Sequence, residues 1–290
     1  MIPVLTPFRM YPLVIISVCL VLSTGCLSPG QDDQGEGILV AVTIPPQEEM
    51  VREIGDGRVD VLVLVPPGSD PHIYEPSPGL VARASAADLY LILGSGLFPV
   101  EDTLADRLRA MNPALVVVNT SRGVDYIGTA ERRDPHVWLS LQNARIMAGN
   151  TRDALILAEP EYEDLYRENA ERYITRIDDL DRKISADLLC EDPGMILVTH
   201  DAWGYFARDY DLSIIAIEQE GKEPTAKDLE ALITRAREQG VTVVFAEEQE
   251  NRREAQAIAD AIGGSVMVID PLAPDYLATM ERIATAFAGS

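Results

Sequence analysis

The sequence predicts an α/β protein of two lobes, each with a parallel sheet flanked by helices, joined by one long rigid helix. Three observations carry that expectation. Short continuous runs of Val, Ile and Leu alternate with helix-period segments from residue 38 onward, this alternation occurs twice, and a stretch with no strand pattern separates the two sets. Continuous apolar runs, unlike alternating ones, mark strands buried on both faces, which is the situation of strands in parallel sheets covered by helices.

The first set comprises "ILVAVTI" (38–44), "VDVLVLV" (59–65), "DLYLIL" (88–93) and "ALVVVNT" (114–120). Between them lie the helical segments "PQEEMVREIG", "SPGLVARASAA" and "VEDTLADRLRAM". The second set comprises "MILVTH" (195–200), "LSIIAIEQ" (212–219), "VTVVFAEE" (241–248) and "VMVID" (266–270), spaced by "AWGYFARDYD", "TAKDLEALITRAREQG" and "NRREAQAIADAIGG". The intervening stretch reads as one helix, "LQNARIMAGNTRDALILAE", stopped by Pro160, and a second over 161–189. In that second helix Tyr162, Leu165, Tyr173, Ile177, Leu180, Ile184 and Leu188 recur at three- and four-residue steps, while its other faces are charged. At 1.5 Å per residue it spans roughly 40 Å, enough to cross a domain. A coiled-coil dimer seam would need a longer stripe, so a rod packed on both lobes of a monomer is expected.

The N-terminus follows different rules. "YPLVIISVCLVL" (11–22) is an apolar run too short for a span of about 20 residues and reads as an export signal. "LSTGC" (22–26) resembles the cleavage box of lipoprotein signal peptides, which makes Cys26 the lipidated first residue of the mature chain. The polar "LSPGQDDQGEG" (27–37) is a flexible tether. The expected organisation is therefore a signal at 1–25, a tether at 26–37, a first lobe at 38–159, the linking helix at 160–189 and a second lobe at 190–290. Cys19 leaves with the signal and Cys26 carries lipid, so Cys190 stands alone as a small apolar residue, with no disulfide partner. With 24 basic and 47 acidic residues, a net charge of −23 excludes nucleic acid as a partner.

The chain has three histidines, each beside an aspartate: "SDPHIYEPSP" places His72, "RDPHVWLS" places His136 and "LVTHDAWGYF" places His200. Ligands of open parallel sheets bind beyond the carboxyl ends of the strands. His200 ends one predicted strand, Glu247 another and Asp270 a third, while His72 and His136 follow strands of the first lobe, so all collect at one crevice. A neutral imidazole is a good ligand for zinc and its neighbours, and an adjacent carboxylate fixes its tautomer. With an ordinary imidazole pKa of about 6.5, metal affinity is expected to fall below about pH 6. Asp270 reads either as a helix N-cap or as a ligand, and Glu247 and Glu248 either as solvated loop or as metal neighbours.

These residues carry a family resemblance. "DPHIYEPSP", "DPHVWLSLQNARIMAGN", "THDAWGYFARDYDL", "GKEPTAKDLEAL" and "VIDPL" occur in order across the mature chain and resemble the motifs of the zinc- and manganese-binding solute-binding lipoproteins of ABC importers, the ZnuA/TroA-like family. The resemblance implies two four-stranded α/β lobes with a metal between them, held by His72 and His136 from the first lobe and His200 and Asp270 from the second. It also implies a membrane permease with a cytoplasmic ATPase as partner, and an extracytoplasmic, membrane-anchored location. Histidine at the third ligand position, where manganese-type members carry Glu, points to Zn over Mn. The loop "SRGVDYIGTAERR" lacks the histidines that many zinc members insert there. A secreted zinc hydrolase using Glu247 or Glu248 as base is the competing class, disfavoured because Asp270 would close the coordination shell and no HExxH helix is present. An adhesin-like surface role is compatible with either.

Overall fold

A computed structural model describes residues 37–290, apart from 97, 130–131, 192, 219–223 and 251. The expected signal, Cys26, the tether up to residue 36 and the first three residues of "GKEPTAKDLEAL" lie outside the described residues.

The first lobe alternates strand and helix as its apolar runs predict: β1 (Ile38–Val42), α1 (Pro46–Gly55), β2 (Val59–Val63), α2 (Pro78–Ala84), β3 (Leu89–Ile92), α3 (Pro99–Met111) and β4 (Val116–Asn119). All pairs in this sheet are parallel, in the order β2-β1-β3-β4. Proline opens α1, α2 and α3, where its missing N–H costs nothing. A two-residue hairpin, β5 (Gly128–Thr129) with β6 (Arg132–Arg133), leads to His136 and a 3-10 turn at Val137–Leu139. Ser140 then caps α4 (Leu141–Ala158), its hydroxyl accepting the Asn143 N–H.

After a 3-10 turn at Pro160–Tyr162, α5 runs unbroken for 29 residues, Glu163–Glu191. Its buried stripe is Tyr166, Asn169, Ala170, Tyr173, Ile177, Ile184 and Leu188. The predicted Tyr162, Leu165 and Leu180 are half-buried, Tyr162 in the preceding 3-10 turn, and Tyr166 takes the inward place one position beyond Leu165. The rod touches both lobes. Asn169 donates to the Ile54 carbonyl and Tyr173 to Glu49 on α1, whereas Tyr210 of the second lobe donates to Asp181. At its far end Cys190 is exposed, contrary to the buried apolar place expected of a lone thiol.

The second lobe repeats the plan with β7 (Met195–Val198), α6 (Gly204–Tyr210), β8 (Ser213–Ala216), α7 (Ala226–Glu238), β9 (Val243–Glu247), α8 (Arg252–Ile262), β10 (Ser265–Ile269) and α9 (Tyr276–Ala288). Its sheet is parallel, in the order β10-β9-β7-β8. Thr225 and Asp228 form a reciprocal capping box that starts α7. Phe287 of α9 packs edge-on to Trp203, Phe206 and Phe245, with ring centroids 4.8–5.5 Å away, tying the chain end to the core beneath the cleft.

Direct bonds join the lobes along the cleft floor. Trp138 Nε1–H donates to the Pro271 carbonyl at 3.0 Å, and Tyr276 O–H returns a bond to the Trp138 carbonyl at 2.6 Å. Tyr205 O–H donates to the Asp134 carbonyl at 2.9 Å, and Ser140 donates to Asp209.

Candidate metal centre

At the carboxyl edge of the first sheet, buried polar side chains fix the backbone from which the site is built. Gln47 accepts the Thr43 and Ile44 N–H groups and donates to the Leu91 carbonyl. Glu101, 1% exposed, accepts from Thr43 Oγ1 at 2.6 Å and from the Leu93 and Gly94 N–H groups. These bonds lock the ends of β1 and β3 and the start of α3, whose N-cap Phe98 lies against the His72 ring at 5.1 Å.

His72 and His136 are presented by the same local device. In each Asp-Pro-His segment the aspartate Oδ1 accepts the histidine N–H two residues on, at 2.8 Å for Asp70 and 2.9 Å for Asp134. Proline between them narrows the remaining conformations. Asp134 does one thing more: its Oδ1 lies 2.8 Å from His136 Nδ1. A carboxylate can only accept, so the proton resides on Nδ1 and the Nε2 lone pair faces the cleft. Asp134 is approached in turn by Gly204 of α6, where an added Cβ would fall 2.8 Å from Asp134 Oδ2. His200 stands two residues beyond β7, and its Nδ1 is buried with no hydrogen-bond partner among the described residues.

The three rings meet between the lobes. His72 Nε2 and His200 Nε2 each lie 3.2 Å from His136 Nε2, and all three ligand atoms lie within 4.8 Å of one another. They line a cavity of about 20 Å³, room for a single water-sized guest, with Trp138, Glu247, Gln249 and Glu250 among the other walls. Burial, then the charge His136 would carry, pushes His72 down to about 4 against the pull of Asp70 and Asp134. Burial, then the charges His136 and His72 would carry, push His200 down to about 3. Both rings are thus kept neutral, with lone pairs available to a cation, well below pH 6. The fall in affinity expected from an ordinary imidazole pKa therefore moves to lower pH for these two, because the rings are desolvated.

The carboxylates are placed differently from one another. Asp270 follows β10 but its Oδ1 accepts from Gln249 Nε2 at 2.9 Å and from the Leu272 N–H at 3.0 Å, outside the cluster of three imidazoles. It caps no helix: the residue before α9 is Asp275. Glu247 is buried rather than solvated and accepts from Trp203 Nε1 at 3.1 Å. Burial, followed by the charge of Glu250, pushes its carboxyl up to about 8. Glu248 is exposed. Sequence reasoning missed Trp138, Gln249, Glu250 and Glu218 as neighbours of the site; only the position of Glu250 three residues beyond a strand-end carboxylate hinted at any of them.

The family model described as ZnuA, zinc-uptake complex component A periplasmic, matches residues 40–290. The high-affinity zinc uptake system protein ZnuA of Bacillus subtilis (strain 168) is 28% identical over 281 residues, covering 90% of this chain and 88% of that protein. A crystal structure of ZnuA aligns with a TM-score of 0.83 at 34% identity, covering 88% of this chain and 99% of the other. The periplasmic zinc binding protein TroA from Treponema pallidum shares the fold at a TM-score of 0.79 and 22% identity, covering 87% of this chain and 98% of its own. From the first strand to the last residue, the chain belongs to the family of periplasmic zinc-uptake component A, ZnuA.

Proposed function

We propose that this chain is the extracytoplasmic solute-binding component of an ABC importer, which captures zinc between its lobes and delivers it to a membrane permease driven by a cytoplasmic ATPase. The observation that carries this reading is the Nε2 separation of 3.2 Å from His136 to each of its two neighbours. Two nitrogens bound at about 2.0 Å to one tetrahedral zinc stand about 3.3 Å apart, so the imidazoles already have the spacing of ligands. An imidazole with its proton on Nδ1, as Asp134 holds His136, turns its Nε2 lone pair to the point where the rings meet, and a cation is what three such lone pairs can share.

The donor set favours zinc over manganese. Three imidazoles suit zinc, whereas manganese takes more oxygen ligands and stands lower in the Irving–Williams order. His72, His136 and His200 are proposed as ligands, and Asp270 as the fourth once it turns from Gln249. Hydrolysis is disfavoured because Glu247, its candidate base, is held mostly protonated at neutral pH with one oxygen on Trp203. Lipid attachment at Cys26, a monomeric state, and lobes at 38–159 and 190–290 around a link at 160–189 complete the proposal.

Metal analysis after purification without chelator, followed by zinc and manganese competition, tests it. Close to one zinc per chain and displacement of manganese by zinc are expected; manganese outcompeting zinc would overturn the assignment.

A further inference from the structure

A second set of ligand atoms shares His200 with the first. His200, Glu218 and Glu250 also bring one nitrogen and two carboxylate oxygens within 4.8 Å of one another. All three are partly exposed, as is His72, whereas His136 is buried, so the second set stands closer to solvent than His136 does. The sheet order explains the meeting. His200 follows β7, Glu218 follows β8 and Glu250 follows β9, and β7 lies between β9 and β8. Glu218 is held beside His200 by its N–H bond to the Thr199 carbonyl at 3.0 Å, and Glu250 by a turn bond to the Glu247 carbonyl at 3.1 Å. The ring of His200 is also held differently from that of His136. Asp134 fixes His136, while His200 Nδ1 has no hydrogen-bond partner among the described residues, so no carboxylate bond from these holds its ring to one metal position.

We propose that His200, Glu218 and Glu250 form a loading position for a divalent transition metal, from which the ion passes to His72 and His136 without leaving His200. This rests on the zinc-capture reading above and adds a route to it. The loading position is built wholly from the second lobe, so it forms whatever the separation of the lobes. One imidazole and two carboxylates make a weaker, more oxygen-rich set than three imidazoles, with water completing the shell. The ion therefore moves downhill by ligand exchange, shedding the two carboxylates as the two first-lobe imidazoles bind, and no proton or electron need change hands. Two carboxylates flanking the shared imidazole also concentrate cations at the mouth.

The test uses the full chain and zinc itself. The variant H72A/H136A removes both first-lobe ligands and leaves the loading set whole. It is expected to bind one zinc, more weakly than the parent, and adding E218Q/E250Q should lower that residual affinity by at least about tenfold. Residual binding that is absent, or indifferent to the two glutamates in variants with parental circular dichroism, overturns the proposal. In the otherwise unaltered chain, E218Q/E250Q should slow zinc association, read by tryptophan fluorescence, by about tenfold even at 1 M salt, where screening acts within about 3 Å. A slowing that vanishes at high salt would show a field effect alone and refute the ligand role. Failure of the parent to bind zinc tightly would instead strike the function reading, since H72A/H136A lacks the three-imidazole set.

Discussion

Asp134 offers the sharpest perturbation of the site, because one oxygen serves both the backbone and the ring of the histidine at its centre. Its Oδ1 accepts the His136 N–H at 2.9 Å and stands 2.8 Å from Nδ1, whereas Asp70 Oδ1 accepts the His72 N–H at 2.8 Å. Asp134→Asn keeps the size and one acceptor but removes the charge that sets the tautomer and strengthens Nε2 as a donor. Losing such a carboxylate behind a metal-bound imidazole costs 10- to 100-fold in affinity, about 1.4–2.7 kcal/mol. Asp70→Asn retains an acceptor for its backbone bond, so its cost should stay below about 1.4 kcal/mol, or tenfold. Chelator-competition titrations with zinc at pH 7.5 give both values. Trp138, whose ring centroid lies 5.3 Å from that of His136, supplies an intrinsic signal. Equal losses in the two variants, or none in Asp134→Asn, would refute the reasoning that Asp134 acts through the His136 ring.

Gly204→Ala places a Cβ 2.8 Å from Asp134 Oδ2, so it should weaken zinc binding and do so less in an Asp134→Asn background; strictly additive effects would separate the two residues. Because His72 and His200 are held at about 4 and about 3, their neutral, metal-competent forms persist as pH falls, and protons compete for them only near and below those values. Zinc affinity measured from pH 7.5 to 3.5 should therefore show the steep, multi-proton loss below pH 5, and such a loss already complete at pH 6 would contradict the burial of these rings. The unbroken α5 and the cross-lobe bonds at Trp138 and Tyr276 leave little freedom for hinge closure. Small-angle scattering of apo and zinc-loaded protein should nearly superimpose, and a large fall in radius of gyration on loading would contradict the rod.

The fold was legible in the sequence because the strands of the two parallel sheets are largely continuous apolar runs and α1–α4 and α7 begin at a proline or a hydroxyl cap, signals that depend on local chemistry alone. The long helix was legible for the same reason. Its stripe drifted by one position at Leu165 and Tyr166, since a 3.6-residue turn does not keep to integer steps. The convergence of His72, His136 and His200 followed from strand-end topology. Side-chain direction did not: Asp270 is claimed by Gln249, and Glu247 is buried by a tryptophan 44 residues away, partners that only tertiary packing supplies. The depressed pKa values of His72 and His200 likewise depend on the desolvation created when the two lobes meet.

The central claim is that three imidazoles from two lobes hold one zinc. X-ray absorption at the zinc edge, on the chain loaded with one equivalent, reads that shell directly. Three imidazole nitrogens at about 2.0 Å with one oxygen at a similar distance are predicted, falling to two imidazoles in His136→Ala. A shell with fewer than three imidazoles in the parent, or one unchanged by His136→Ala, would contradict the account.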